Sequence, residues 1–222
     1  MIARSLLLLV PALAGCDLVF TIEVLLLCTG DEFSGDIVDP TRWSVMSQSP
    51  DIAVVATDDE LVIKLAPFDP GYGGIMSATP FDATGKLIDL EVIESVNPAE
   101  QGRVELVFAL ASAANFGDRH LIVGNHDLFF AAQLDFQNVP RSNGVAYQAS
   151  NHRHWRMQHE PTTNRVIYAT SSDGKAYVAH RESEAVIDMS RVVLEITAGQ
   201  YFGGVEAPGR VRLGAVSICD PE

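Results

Sequence analysis

The chain has 222 residues, of which 47% are hydrophobic and 20% charged, with 29 acidic against 15 basic side chains and a formal net charge of −14. That balance repels phosphate backbones and anionic lipid headgroups, so nucleic-acid binding is disfavoured. A soluble acidic body is the simplest expectation.

At the N-terminus, Arg4 is followed by the apolar residues 6–13, the small pair Ala14 and Gly15, and Cys16. A basic residue, a short apolar stretch, small residues and then a cysteine is the order of a bacterial lipoprotein signal. The apolar stretch is too short to span a bilayer. The expectation is that residues 1–15 are removed, leaving 222 − 15 = 207, and that Cys16 carries a thioether-linked diacylglycerol and an amide-linked acyl chain. Two or more such chains anchor a protein stably where one binds only marginally. Residues 16–28 then form a lipid-anchored tether that becomes the first strand. The apolar residues 18–27 carry Thr21 and Glu23, which makes them too short and too polar for a second membrane segment. The setting is therefore extracytoplasmic, tethered to a membrane of the cell envelope.

Beyond the tether, apolar and polar residues alternate in short bursts, as in Glu60-Leu61-Val62-Ile63-Lys64-Leu65 and Arg103-Val104-Glu105-Leu106-Val107-Phe108, with further bursts over 121–123, 127–134, 165–170, 191–196 and 210–218. Turn clusters separate them: Thr57-Asp58-Asp59, Asp69-Pro70-Gly71, Ala83-Thr84-Gly85, Ser142-Asn143-Gly144, Ser172-Asp173-Gly174 and Ala207-Pro208-Gly209. No long segment keeps a helical period. A dozen or so strands at this spacing predict an all-β, two-sheet antiparallel sandwich, with residues 29–222 as one domain.

Asp31-Glu32-Phe33-Ser34-Gly35 followed by Asp39-Pro40-Thr41-Arg42-Trp43-Ser44-Val45 resembles the opening of a concanavalin A-like lectin/glucanase jelly roll. The likeness continues through Glu60-Leu61-Val62-Ile63, Tyr72-Gly73-Gly74-Ile75-Met76-Ser77, His154-Trp155-Arg156-Met157 and Tyr168-Ala169-Thr170-Ser171-Ser172-Asp173-Gly174-Lys175, covering residues 29–218. The aromatic that usually follows the Ser-x-Asp-Gly turn falls at Tyr177, displaced by Ala176, and residues 136–144 read as an insertion. Trp43 is expected as a core plug at the start of a strand, with a sugar platform as the alternative. The resemblance implies a jelly-roll sandwich whose sugar sites combine aromatic faces with polar groups, and the exposed-side candidates are Tyr72, His154, Arg156 and Tyr168.

With Cys16 taken by lipid, Cys28 and Cys219 are left near opposite ends of the body. A jelly roll often brings its first and last strands together, so these two could pair, with two buried free thiols as the alternative. The resemblance also suggests a structural calcium ion, with Asp31, Asp36, Asp39 and Asp220 as candidate ligands, although no Asp-x-Asp-x-Asp-Gly spacing is present. No other cofactor is expected. His152-x-His154 on a strand would aim two imidazoles one way, with a third zinc ligand to come from His120, His126, His159 or His180; hydrogen-bonded histidines are the preferred reading.

Retaining laminarinase-like relatives carry two glutamates and an aspartate on one strand. The nearest segment here, Asp89-Leu90-Glu91-Val92-Ile93-Glu94, has those acids in the wrong order, and a regular strand puts Glu94 on the face opposite Asp89 and Glu91, which a bulge could repair although nothing in the sequence requires one. No Gly-x-Ser-x-Gly nucleophile elbow occurs. The expected function is a membrane-anchored, non-catalytic sandwich that binds carbohydrate or a surface polymer. An envelope structural or protein-interaction lipoprotein is the first alternative, and a glycoside hydrolase or polysaccharide lyase the second.

Overall fold

The computed structural model describes residues 28–96, 103–138 and 144–221. No helix occurs among them, and two antiparallel sheets pack face to face. Sheet 1 holds β3 (Ala53–Thr57), β4 (Glu60–Lys64), β16 (Arg210–Cys219), β6 (Leu87–Glu94), β12 (His154–Glu160), β13 (Arg165–Ser171) and β14 (Val178–Glu184), in that spatial order. β1 (Cys28–Asp31) joins it along the C-terminal half of β16. Sheet 2 runs β2 (Trp43–Ser47), β5 (Gly71–Ser77), β15 (Val192–Gln200), β7 (Val104–Ser112), β8 (Arg119–Gly124), β9 (Asp127–Leu134) and β10 (Gln137–Asn138), with β11 (Val145–Ala146) also paired to β9.

Period-two alternation sets what lies between the sheets. Leu61 and Ile63, Leu90 and Val92, Trp155 and Met157 from sheet 1 meet Ile75, Leu106, Phe108, Leu110, Ile122, Phe130, Leu194 and Ile196 from sheet 2 in one core. Trp43 is buried there too, and its indole Nε1 donates to Asp31 Oδ2 at 2.7 Å. Short turns fix the register. Asp58 and Asp59 both take positive φ between Thr57 and Glu60, a two-residue hairpin loop whose twist matches the strands it joins.

The chain ends meet across the β1–β16 ladder, where Cys28 and Cys219 are direct partners, 4.1 Å apart at Cα, and joined by a disulfide. The bridge closes a loop of 191 residues. The signal segment, Cys16 and the tether up to residue 27 lie outside the described residues.

Two strand details differ from the alternation expected of them. β6 pairs Val92 with Leu213 but Glu94 with Arg212, so a bulge at Ile93 brings Glu94 beside Arg212 on the outer face, the face that also carries Asp89 and Glu91. His152 precedes β12 and turns inward, away from the face of His154 and Arg156. Its ring packs edge-on against His180, and its Nδ1 accepts the amide of Gln148.

Candidate functional site

The outer face of sheet 2 carries a second, smaller apolar cluster made of Val107, Ala109, Leu121 and Ala131, against which Tyr72 and Val123 pack. These residues occupy the strand positions that alternate with the core. Beside this floor is an open groove of about 380 Å³. Its lining passes from Met46 and Gln48 at β2, through Tyr72, Thr197, Glu195, Glu105 and Val107, to Arg119 and Phe136.

One end is built around a glycine. Gly199 on β15 pairs with Tyr72 on one side and Glu105 on the other. A Cβ at Gly199 would stand 2.6 Å from Tyr72 Cγ, so only glycine lets the phenol ring lie across β15. The hydroxyl then reaches Glu105 and donates to Oε1 at 2.6 Å. Burial first, and the Glu105 charge second, push the Tyr72 pKa up, so the phenol keeps its proton as a donor. The backbone is also locked, because Gln48 Oε1 accepts the Tyr72 amide and the Tyr72 carbonyl accepts the Gln48 amide.

The other end is built around Arg119. Its Nη1 donates to Glu195 Oε2 at 2.9 Å and its Nε to Gln133 Oε1 at 2.7 Å, while Thr197 Oγ1 donates to Glu195 Oε1. The guanidinium lies 5.2 Å from the Phe136 ring centroid. Phe136 occupies the second position of a tight β9–β10 turn with φ 61°, after Asp135 at φ 50°. Left-handed backbone is costly for a bulky side chain, and here it sets an aromatic ring, 59% exposed, at the groove rim.

Of the four sequence candidates, Tyr72 lies in this groove. His154 and Arg156 stand on the outer face of sheet 1, where Arg156 is held by both oxygens of Asp89 at 2.7 and 2.8 Å and stacks 3.6 Å from the Tyr177 ring. Tyr168 is corrected outright. Although it was expected on an exposed side, its ring is fully buried between the sheets, with its hydroxyl bonded to His120 Nδ1 and to the Ala131 carbonyl. The parity of β13 explains this, since Tyr168 shares the inward face with Val166 and Thr170.

The aspartates proposed for calcium have other engagements. Asp31 bonds the Phe33 amide and the Trp43 indole, Asp39 caps Thr41 and pairs with Arg42, Asp220 pairs with Lys86, and Asp36 is exposed. Among the described residues no group of three or more His, Cys, Asp or Glu side chains could hold a metal ion.

No protein-family model matches the chain, and no curated protein matches it in sequence. Solved structures do match in shape. The β-glucanase of Bacillus licheniformis superposes with a TM-score of 0.59 at 11% identity, over 88% of this chain and 98% of that one. Arcelin-5, a lectin-like defence protein of Phaseolus vulgaris, gives 0.60 at 7% identity over 87% and 97%. An endo-acting O-glycanase expressed by prominent members of the human gut microbiota gives 0.63 at 10% identity over 87% and 99%. The fold is the concanavalin A-like jelly roll. Of the residues lining this groove, Tyr72 is a candidate from the sequence, while Glu105, Arg119, Glu195, Thr197 and Phe136 are not. A signal was present for three of them, because Glu105 interrupts an apolar strand, and Glu195 and Thr197 are the polar pair inside the otherwise apolar and small residues 192–199.

Proposed function

We propose that this chain is a lipid-anchored, extracytoplasmic protein whose concanavalin A-like sandwich binds carbohydrate or another surface polymer, without catalysis, in the groove on sheet 2. The observation that carries the reading is the groove itself: the aromatic rings of Tyr72 and Tyr201 at one end and Phe136 at the other flank the polar groups of Glu105, Thr197, Glu195 and Arg119, beside an apolar patch. Sugars present apolar ring faces and polar edges, and such mixed linings recognise both. The similarity to lectins and glucanases supports the reading at the level of fold.

The arrangement of carboxylates favours binding over hydrolysis. On β7 the outward positions after Glu105 are Val107, Ala109 and Ala111, so no acidic array follows it along the strand. The second carboxylate, Glu195, comes from β15 opposite Ala109, four residues or about 14 Å along the ladder from the Glu105 row. It is bound by Arg119 and Thr197. Asp89, Glu91 and Glu94, the acids nearest a hydrolase pattern, lie away from the groove on the outer face of sheet 1, each tied to an arginine beside it.

A glycan array probed with the full chain, followed by calorimetry on the hits, tests the proposal. Binding of oligosaccharides with no release of reducing ends is expected. An empty array would turn the reading toward an envelope structural or protein-interaction role, and release of reducing ends would turn it toward a hydrolase. For the anchor, the Leu13-Ala14-Gly15-Cys16 motif supports lipidation. Cys16→Ala should move the protein from the membrane to the soluble fraction while leaving its melting curve unchanged.

A further inference from the structure

We propose that the groove selects sugars bearing a free amino group, with the protonated amine held against Glu105; this rests on the carbohydrate-binding reading above. Arg119 and Glu195 form an ion pair at 2.9 Å, so their charges offset each other. Glu105 is the third charged side chain of the groove, and among the described residues it has no ion-pair partner. The Tyr72 hydroxyl donates to its Oε1, which orients the carboxylate and leaves Oε2 for a ligand.

The surroundings suit an ammonium group in a second way. The Tyr72 ring is fixed across Gly199, and the Tyr201 ring, 64% exposed, lines the same end of the groove. A cation beside aromatic faces is attracted by their quadrupoles, and a hydrogen-bonded carboxylate adds a charge-assisted contact. An acidic sugar brought to the same place would meet like charge, and the net charge of −14 on the whole chain adds a field of the same sign. Neutral N-acetylated sugars would keep the stacking contacts and lose the ionic one.

The test uses the full chain in mild detergent with three tetrasaccharides of equal length, made of glucosamine, N-acetylglucosamine and galacturonic acid. Calorimetry should show the glucosamine oligomer binding about tenfold more tightly than its N-acetylated counterpart, the difference one charge-assisted contact supplies, and galacturonate binding weakest. The advantage should disappear as pH is raised through the pKa of the sugar amine. Glu105→Gln should equalise the glucosamine and N-acetylglucosamine oligomers, whereas Glu206→Gln, on the same loop as Tyr201 but facing a separate pocket lined by Val62, Lys64 and Arg210, should leave the preference intact. Equal binding by the two hexosamine oligomers, or tightest binding by galacturonate, would overturn amine selection while leaving carbohydrate binding standing. Loss of the preference in Glu206→Gln would reduce it to general charge attraction and overturn it as well. If none of the three binds and the glycan array is also empty, the parent reading fails and takes this one with it.

Discussion

On the outer face of sheet 1, Asp89 holds Arg156, Glu91 holds Arg153, Glu94 meets Arg210 and Arg212, Glu60 grips Arg212, and Glu182 meets Arg165. Across the sandwich, the outer face of sheet 2 has small apolar residues as its floor, one Arg119–Glu195 pair, and a glutamate whose partner is a tyrosine. Both faces are built from the same alternating strands. The difference lies in how charge is matched. A face whose charges are matched internally offers a ligand little that water does not already satisfy. A face with an apolar patch, aromatic rings and one carboxylate that has no ion-pair partner among the described residues has binding free energy still to be gained. Charge alone therefore does not mark the candidate site, because the more highly charged face is the one whose side chains satisfy one another.

The largest expected effect lies on the sheet 1 side and leaves the other untouched. Replacing Cys28 and Cys219 by serine removes a bridge across 191 residues, for which chain entropy predicts a loss approaching 5 kcal/mol. Denaturant titration should show the loss, and glycan binding measured below the new midpoint should be unchanged.

Next comes His120, which stands between the two faces on the inward side of β8, next to Arg119 of the groove. Its Nε2 accepts the Val186 amide, so its Nδ1 carries the proton donated to Tyr168. Burial, with a smaller contribution from the charge of His159, pushes its pKa down from 6.5 to about 4. Because the folded-state value is depressed, the unfolded chain binds the proton first as pH falls. The stability this group contributes is complete above about pH 6.5 and is lost between there and about pH 4, roughly 3 kcal/mol in all. Stability against pH for His120→Gln should lack that part of the slope. An unchanged slope would mean that the histidine is not held neutral in the core.

Breaking one pair on sheet 1 should cost less and should not touch binding. Asp89→Ala leaves Arg156 without its bidentate partner, for about 2 kcal/mol in denaturant titration. The smallest effect is expected to have the opposite sign. Phe136→Gly relieves positive φ in the β9–β10 turn, offset in part by the lost Arg119 contact and the freer unfolded chain, and should raise stability by no more than about 1 kcal/mol. The same change removes an aromatic from the rim and should weaken glycan affinity. A gain in both would show that the ring has no part in the site.

The fold was legible in the sequence because alternation and turn residues act locally. Glu60 to Lys64 and Asp58-Asp59 specify a strand and its hairpin without reference to anything distant. The meeting of Cys28 with Cys219 was also within reach once a jelly roll was inferred. The site was less legible for a physical reason. Its residues come from β2, β5, β7, β8 and β15, and their adjacency is set by sheet order rather than by spacing along the chain. Tyr168 shows the converse difficulty: an aromatic with a polar tip suits either a surface or a satisfied core position, and its partner His120 lies 48 residues away. Glu94 shows a third, because the Ile93 bulge that turns it outward has no glycine or proline to announce it.

The most direct test sets the two faces against each other in one experiment. Tyr72→Ala alters the groove and Arg156→Ala alters the paired face, and each variant is titrated with the tightest glycan from the array. Loss of about tenfold or more in affinity with Tyr72→Ala, and wild-type affinity with Arg156→Ala, is the predicted result. Wild-type affinity with Tyr72→Ala and loss with Arg156→Ala would contradict the assignment and move the site to sheet 1.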